Sequence, residues 1–281
     1  MPIKTHHNSI TKALLFSIIL SNSSSATASG IFNITLTGLT NFSTATQTAF
    51  SNAEAFWENI ITGYQPSVRT TGVSAMSGIT INTTSIATDG VGGILGSAGP
   101  ETFRASGGYT FATSGTMNFD SADLGNMESN GSLLNIIKHE MAHVIGFGSL
   151  WGANNLYNTG SGEYTGSAAL ATYQTEFGSI NNFVPVELDG GQGTANGHWN
   201  EEGGLALTGI TDTNGNDMRD ELMTGIFLNN GKTFVSDTTI ASFVDLGYTV
   251  AFPVSVPVPA AIWFFASALG MLSFTRKKKV P

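Results

Sequence analysis

The sequence predicts an α+β fold, on three observations. Apolar residues recur at helical spacing in Ala45 to Ile61 and again in the stretch running into Gly146. Around these stretches lie segments that alternate in polarity or are rich in Thr, Ile and Ser, the pattern of half-buried strands. From Gly148 to Asn196 the composition turns to Gly, Ser, Asn and Thr with little periodicity, which predicts long loops.

Taken in order, the chain opens with an export signal. Lys4 and Lys12 make a positive start, Ala13 to Leu20 a short apolar core, and Ala26-Thr27-Ala28 a small-x-small cleavage site, so residues 1–28 are expected to be removed. Gly30 to Leu39 then alternates like a strand, and Ala45 to Ile61 is a helix. Val73 to Ala87 reads as further strands and Gly107 to Asp120 as another. A helix follows, with Ser132 as its N-cap, an apolar stripe of Leu133, Ile136, Ile137 and Val144, and Gly146 as a left-handed stop. One more helix is expected around Ala168 to Phe177. The region 29–250, about 220 residues, is long enough to bury a core as one domain.

Charge and composition narrow the chemistry. Five Lys and Arg residues against all twenty acids give the stretch between the signal and the C-terminal tail a formal charge of −15. That disfavours nucleic acid and anionic membranes as partners. The chain has no cysteine, which excludes disulfides, thiolate metal sites and a cysteine nucleophile. No G-x-S-x-G supports a serine hydrolase.

The helix ending at Gly146 carries His139-Glu140-Met141-Ala142-His143. Residues i and i+4 stack on one helix face, so both imidazoles can reach one metal ion, and Glu140 on nearly the same face can reach a water beside it. Three histidines remain after signal removal, His139, His143 and His198. That is the number a catalytic zinc site with an open fourth position uses. Ser149 stands where a third histidine three residues past Gly146 would be. Glu163 lies at the spacing of a glutamate ligand, but glycines on both sides argue against the helix such a ligand needs. His198 is the remaining nitrogen donor, and Gly197 before it would allow a close backbone approach. Zinc with a Glu140-activated water would make the protein a metalloendopeptidase. Gly107 to Asn118 is a candidate for pairing with extended substrate. The stretch Asp212 to Asp217 gathers Asp212, Asn214, Asn216 and Asp217 as calcium loops do, without the EF-hand order; a solvated acidic loop competes with that reading.

His139 to Phe147, then Gly197-His198-Trp199 after about fifty residues, then Glu221-Leu222-Met223-Thr224-Gly225 together resemble the leishmanolysin-type metallopeptidases. The resemblance continues through Thr238 to Val250. It implies a metzincin-like zinc-protease fold: an N-terminal lobe of mixed twisted sheet with two helices, and a loop-rich C-terminal lobe ending in a helix. It also implies that His139, His143 and His198 bind zinc, that Glu140 is the general base and that Met223 is the methionine of a turn beneath the metal. The family's many cysteines and its thiolate latch have no counterpart here.

The C-terminal end has its own organisation. Residues 251–259 are a proline-rich linker, and 260–281 hold a 16-residue apolar run from Ala260 to Thr275 and a basic block, Arg276 to Lys279. As a helix the run reaches about 24 Å, short of a comfortable span. Val256-Pro257-Val258-Pro259, the apolar run and the basic end resemble the PEP-CTERM sorting tail of gram-negative bacteria, with Val258 where that family has glutamate. The resemblance implies an exported protein of the cell envelope or exterior, attached transiently to the inner membrane and cut by an exosortase-type protease. Besides a peptidase acting on protein or peptide substrates, the sequence leaves open a non-catalytic zinc-binding surface or matrix protein sorted by this tail.

Overall fold

In the computed structural model, which describes residues 30–201, 206–228 and 231–252, the helical spacing after Phe42 becomes α1 (Thr44–Ile60). Ser43 starts it, its hydroxyl accepting the Thr46 N–H at 3.0 Å. The signal segment 1–28, the apolar tail 260–281 and all of the linker but Ala251 and Phe252 lie outside the described residues. Among the described residues no helix is long and apolar enough to cross a membrane.

The mixed α+β class is observed. Four strands form one sheet in the order β1 (Ile34–Thr37), β3 (Ile79–Ile86), β5 (Tyr109–Asp120), β4 (Gly96–Ser106). The first two pairings are parallel, and β4–β5 is an antiparallel hairpin turning at Gly107 and Gly108, both at positive φ. Between β1 and β3, α1 runs directly into β2 (Ile61–Tyr64), which pairs with the last strand, β8 (Tyr248–Val250). After the sheet come α2 (Leu124–Asn130), α3 (Leu133–Ile145), β6 (Glu163–Tyr164), α4 (Ser167–Glu176), β7 (Val184–Pro185) and α5 (Asp237–Asp245).

Three expectations are corrected. The strand-rich reading of Val73 to Ala87 narrows to β3 alone. Within Gly107 to Asn118, residues 114–118 cannot pair with substrate, because there β5 is bonded to β3 on one side and β4 on the other; the edges of the sheet are β1 and β4. Ser132 does not cap α3 through its side chain: its backbone is already helical, and its carbonyl accepts the Asn135 and Ile136 amides.

The core lies between the sheet and the helices. Phe50, Ala53, Trp57 and Ile60 recur at helical spacing on the buried face of α1. They meet Phe119 of β5 and the inner face of α3, where Ile137, Met141 and Val144 are buried. Trp57 also donates its indole N–H to the Lys138 carbonyl at 2.9 Å, which locks α1 to α3 one residue before His139. Burial of a side chain such as Trp57 contributes about 3–5 kcal/mol against truncation to alanine.

Candidate metal centre and catalytic cleft

The site begins with the i, i+4 geometry of α3, which sets His139 and His143 side by side. Gly146, at φ +141°, ends the helix, and the chain turns so that the Phe147 carbonyl accepts the His143 Nδ1–H at 3.0 Å. The third imidazole arrives from far along the chain. Phe147 packs edge-on against Trp199 with ring centroids 5.0 Å apart, while Trp199 donates its backbone N–H to the Met223 carbonyl at 3.0 Å. These contacts carry His198, the residue before Trp199, to the face of α3.

The three Nε2 atoms form a triangle with edges of 3.0, 3.1 and 3.0 Å. Every Nδ1 is committed to a backbone carbonyl: His139 to Leu222 at 2.7 Å, His143 to Phe147 at 3.0 Å and His198 to Thr194 at 2.7 Å. A carbonyl only accepts, so each Nδ1 carries the proton and each Nε2 presents a bare lone pair. Three lone pairs facing one another repel unless a cation takes all three. The edges also approach the roughly 3.3 Å expected for nitrogens about 2.05 Å from a tetrahedral zinc. Among the described residues this is the one group of three or more His, Asp or Glu side chains able to hold a metal ion, and the histidine set fits zinc.

Electrostatics agree with neutral ligands. Burial, then the neighbouring His198, pushes His139 down to about 3; burial also pushes His143 well below its ordinary value and lowers His198. Burial raises Glu140 to about 8, a shift that a cation at the histidines would oppose. The Glu140 carboxyl stands in the same cleft, against the Gly96 backbone of β4, where a Cβ would lie 3.2 Å from Oε1. The cleft holds about 620 Å³, with Gly93 to Ala98 on one wall, the histidines and Glu140 at its base, and Gln192 to Gly197, Thr224 and Phe227 on the other side.

No protein-family model matches the chain, and no curated protein matches it.

Several expected residues take other places. Ser149 lies at the cleft but donates its hydroxyl to the His143 carbonyl at 2.6 Å, finishing the helix end. Glu163 is exposed on β6, outside the histidine group. The tight approach expected at Gly197 is required of its partner: Gly148, at φ +70°, leaves room where a Cβ would stand 2.3 Å from the Gly197 carbonyl oxygen. Met223 is fully buried in the turn whose Leu222 and Met223 carbonyls hold His139 and Trp199.

In the calcium candidate, Asp212 accepts the Asn214 and Asn216 amides, both at 2.8 Å. Its other oxygen accepts the Asn216 side-chain N–H at 2.8 Å. Asp217 accepts from Thr208, Gly209 and Arg219. Protein N–H and O–H groups therefore already hold these carboxylates. The carbonyls that orient the imidazoles, those of Phe147, Thr194 and Leu222, escape any reading of side-chain motifs because they are backbone groups.

Proposed function

We propose that this protein is a zinc-dependent endopeptidase of leishmanolysin-like, metzincin type. His139, His143 and His198 hold the ion. The observation that carries the reading is the triangle of unprotonated Nε2 atoms, each fixed by its own Nδ1–H···O=C bond, with an unpaired carboxyl beside it in an open cleft. Bound zinc supplies Lewis acidity, which lowers the pKa of water to about 7 and polarises a carbonyl. Glu140 takes the proton of the attacking water and returns it to the leaving amine. Its burial favours the protonated form, which strengthens it as a base, and a cation at the histidines would oppose that shift and so ease the later donation. Gly96 to Ala98 give the cleft a free strand edge, whose backbone N–H and C=O groups suit an extended peptide.

The exported location, with signal removal after Ala28 and transient attachment through the C-terminal tail, is part of the same proposal and rests on sequence. The test is metal analysis of the purified chain together with digestion of an unfolded protein such as casein. About one zinc per chain and loss of hydrolysis on chelation are expected. Glu140→Ala keeps the zinc and loses at least about a thousandfold in activity, since a base is removed and no ligand is. Full activity in Glu140→Ala would overturn the mechanism, and zinc without any hydrolysis in the wild type would favour a binding protein.

A further inference from the structure

Between residues 29 and 250 the chain is strongly acidic, and its few cations are not spread evenly. They are Arg69, Arg104, Lys138, Arg219 and Lys232, against twenty acids. Lys138 stands over the Phe56 ring, and Arg219 is paired with Asp220. Arg69 and Arg104 instead border one hollow of about 410 Å³, together with Ser67, Ser74, Ser106 and Gly107. The hollow lies between the segment that follows β2 and the turn of the β4–β5 hairpin. Three bonds hold those pieces of chain together: the Arg69 N–H donates to Ser106 Oγ at 2.9 Å, the Ser67 hydroxyl to the Gly107 carbonyl at 3.0 Å, and Arg104 Nη1 to the Ala75 carbonyl at 3.1 Å.

These bonds use up acceptors and leave donors. The Arg69 guanidinium and the Ser74 hydroxyl have no partner among the described residues, Arg104 keeps further N–H groups, and the hydroxyl proton of Ser106 is uncommitted. No carboxylate borders the hollow, so two like charges face it without a counter-charge. Such a set is the complement of an oxyanion. Arginine forks meet phosphate and sulfate in pairs of parallel bonds, and donors arriving from several directions suit a tetrahedral group better than a planar carboxylate. The hollow has room on the order of ten waters, so it admits more than a bare ion.

We propose that Arg69 and Arg104 bind a phosphate or sulfate group, free or on a small ester, which fastens the 67–75 segment to the hairpin whose β4 strand walls the cleft. This site does not rest on the peptidase reading, and its test reads no hydrolysis. The zinc-loaded full chain is dialysed to equilibrium against radiolabelled inorganic phosphate, and against phenyl phosphate, at constant ionic strength. Saturable binding of about one ligand per chain is expected. Arg69→Gln and Arg69→Glu, at an exposed side chain with no bond inside the fold, weaken it by at least about tenfold. Arg104→Gln does the same and is checked for folding by circular dichroism, because it gives up the Ala75 bond. Lys232→Gln, outside the hollow, leaves binding unchanged. Flotation with phosphatidylglycerol vesicles, read above the level on phosphatidylcholine, separates the sources. Phosphate bound without extra flotation is a soluble ligand, as the formal charge of −15 favours, and extra flotation lost in Arg69→Gln is a lipid headgroup. Because a bound metal is a second place for phosphate, the dialysis is repeated after chelation. Binding that chelation abolishes and the arginine variants keep lies at the histidines and overturns the proposal. So does the absence of saturable binding of either phosphate together with no extra flotation.

Discussion

At Gly148 a methyl group would stand 2.3 Å from the Gly197 carbonyl oxygen, on a backbone already at φ +70°. An alanine there has to bear left-handed strain and push away the chain that delivers His198, at about 2–4 kcal/mol together. Gly148→Ala is therefore expected to lower both stability and zinc affinity, although residue 148 offers the metal nothing. Its neighbours set the scale. His198→Ala lowers zinc affinity by more than about a hundredfold, while Ser149→Ala and Glu163→Ala leave zinc content unchanged. Mass-spectrometric metal analysis of the four variants decides. Zinc lost in Glu163→Ala and kept in His198→Ala would replace the histidine triad by a glutamate-completed site.

Among the elements, α4 and α5 cap one another. Glu176, the last residue of α4, accepts the Asp237 and Thr238 amides at 2.9 and 2.8 Å at the start of α5. Asp245, the last residue of α5, accepts the Ala168 and Ala169 amides at 2.8 and 3.0 Å at the start of α4. Each carboxylate satisfies helix N–H groups that have no partner within their own helix, and each meets the positive end of the other helix. The pair matters to the site because Thr239 of α5 accepts the Trp199 indole N–H at 2.8 Å and donates to Glu221 at 2.7 Å, joining the His198 segment to the Leu222 turn. Glu176→Ala and Asp245→Ala are each expected to cost about 1–2 kcal/mol in denaturant unfolding. Because the caps sit at opposite ends of a ten-residue helix, the double variant should lose their sum within about 0.5 kcal/mol. A double variant no worse than either single one would show that the helices undock as soon as one end is freed.

For the molecule as a whole, the buried titratable groups give opposing pH terms. In the metal-free chain Glu140 and Glu221, raised by burial to about 8 and about 7, bind protons more tightly folded than unfolded. Their contribution grows as pH falls toward the unfolded value near 4.5. The three histidines, lowered by burial, act the other way: their contribution is whole above about 6.5 and is lost as pH drops toward the folded values, about 3 for His139. Glu176, Glu201 and Asp245, also raised by burial, join the carboxyl side. The two sets oppose one another between about pH 6.5 and 4.5, so stability should change little there. The decline toward acid should set in below about 4.5, where the raised carboxyls add no more, His139 and His143 lose their contribution, and Asp120, held low by the Ala122 and Asp89 amides, begins to lose its own. Guanidinium midpoints of chelator-treated protein between pH 8 and 3.5 measure this, and a steady gain down to pH 4 would contradict the burial of three neutral histidines.

What the sequence determined by itself is what depends on local spacing. His139, Glu140 and His143 are legible because i and i+4 stack on one helix face, and Glu140, three residues before His143, lies beside it whatever the helix packs against; α1, α4 and β5 are legible from periodicity and turn residues. The edge strand β4 is not. Pro100, its glycines and two bulges hide the alternation, and what makes it a strand is hydrogen bonding to β5. His198 stood out in the sequence as the remaining histidine, but only the tertiary structure brings it to α3, through Phe147, Trp199 and the space left at Gly148. The same holds for the carbonyls of Leu222, Phe147 and Thr194, which set the tautomer of each imidazole. A backbone carbonyl has no residue-specific signature, and where it comes to stand follows from loop closure and burial over the whole chain rather than from any short run of residues.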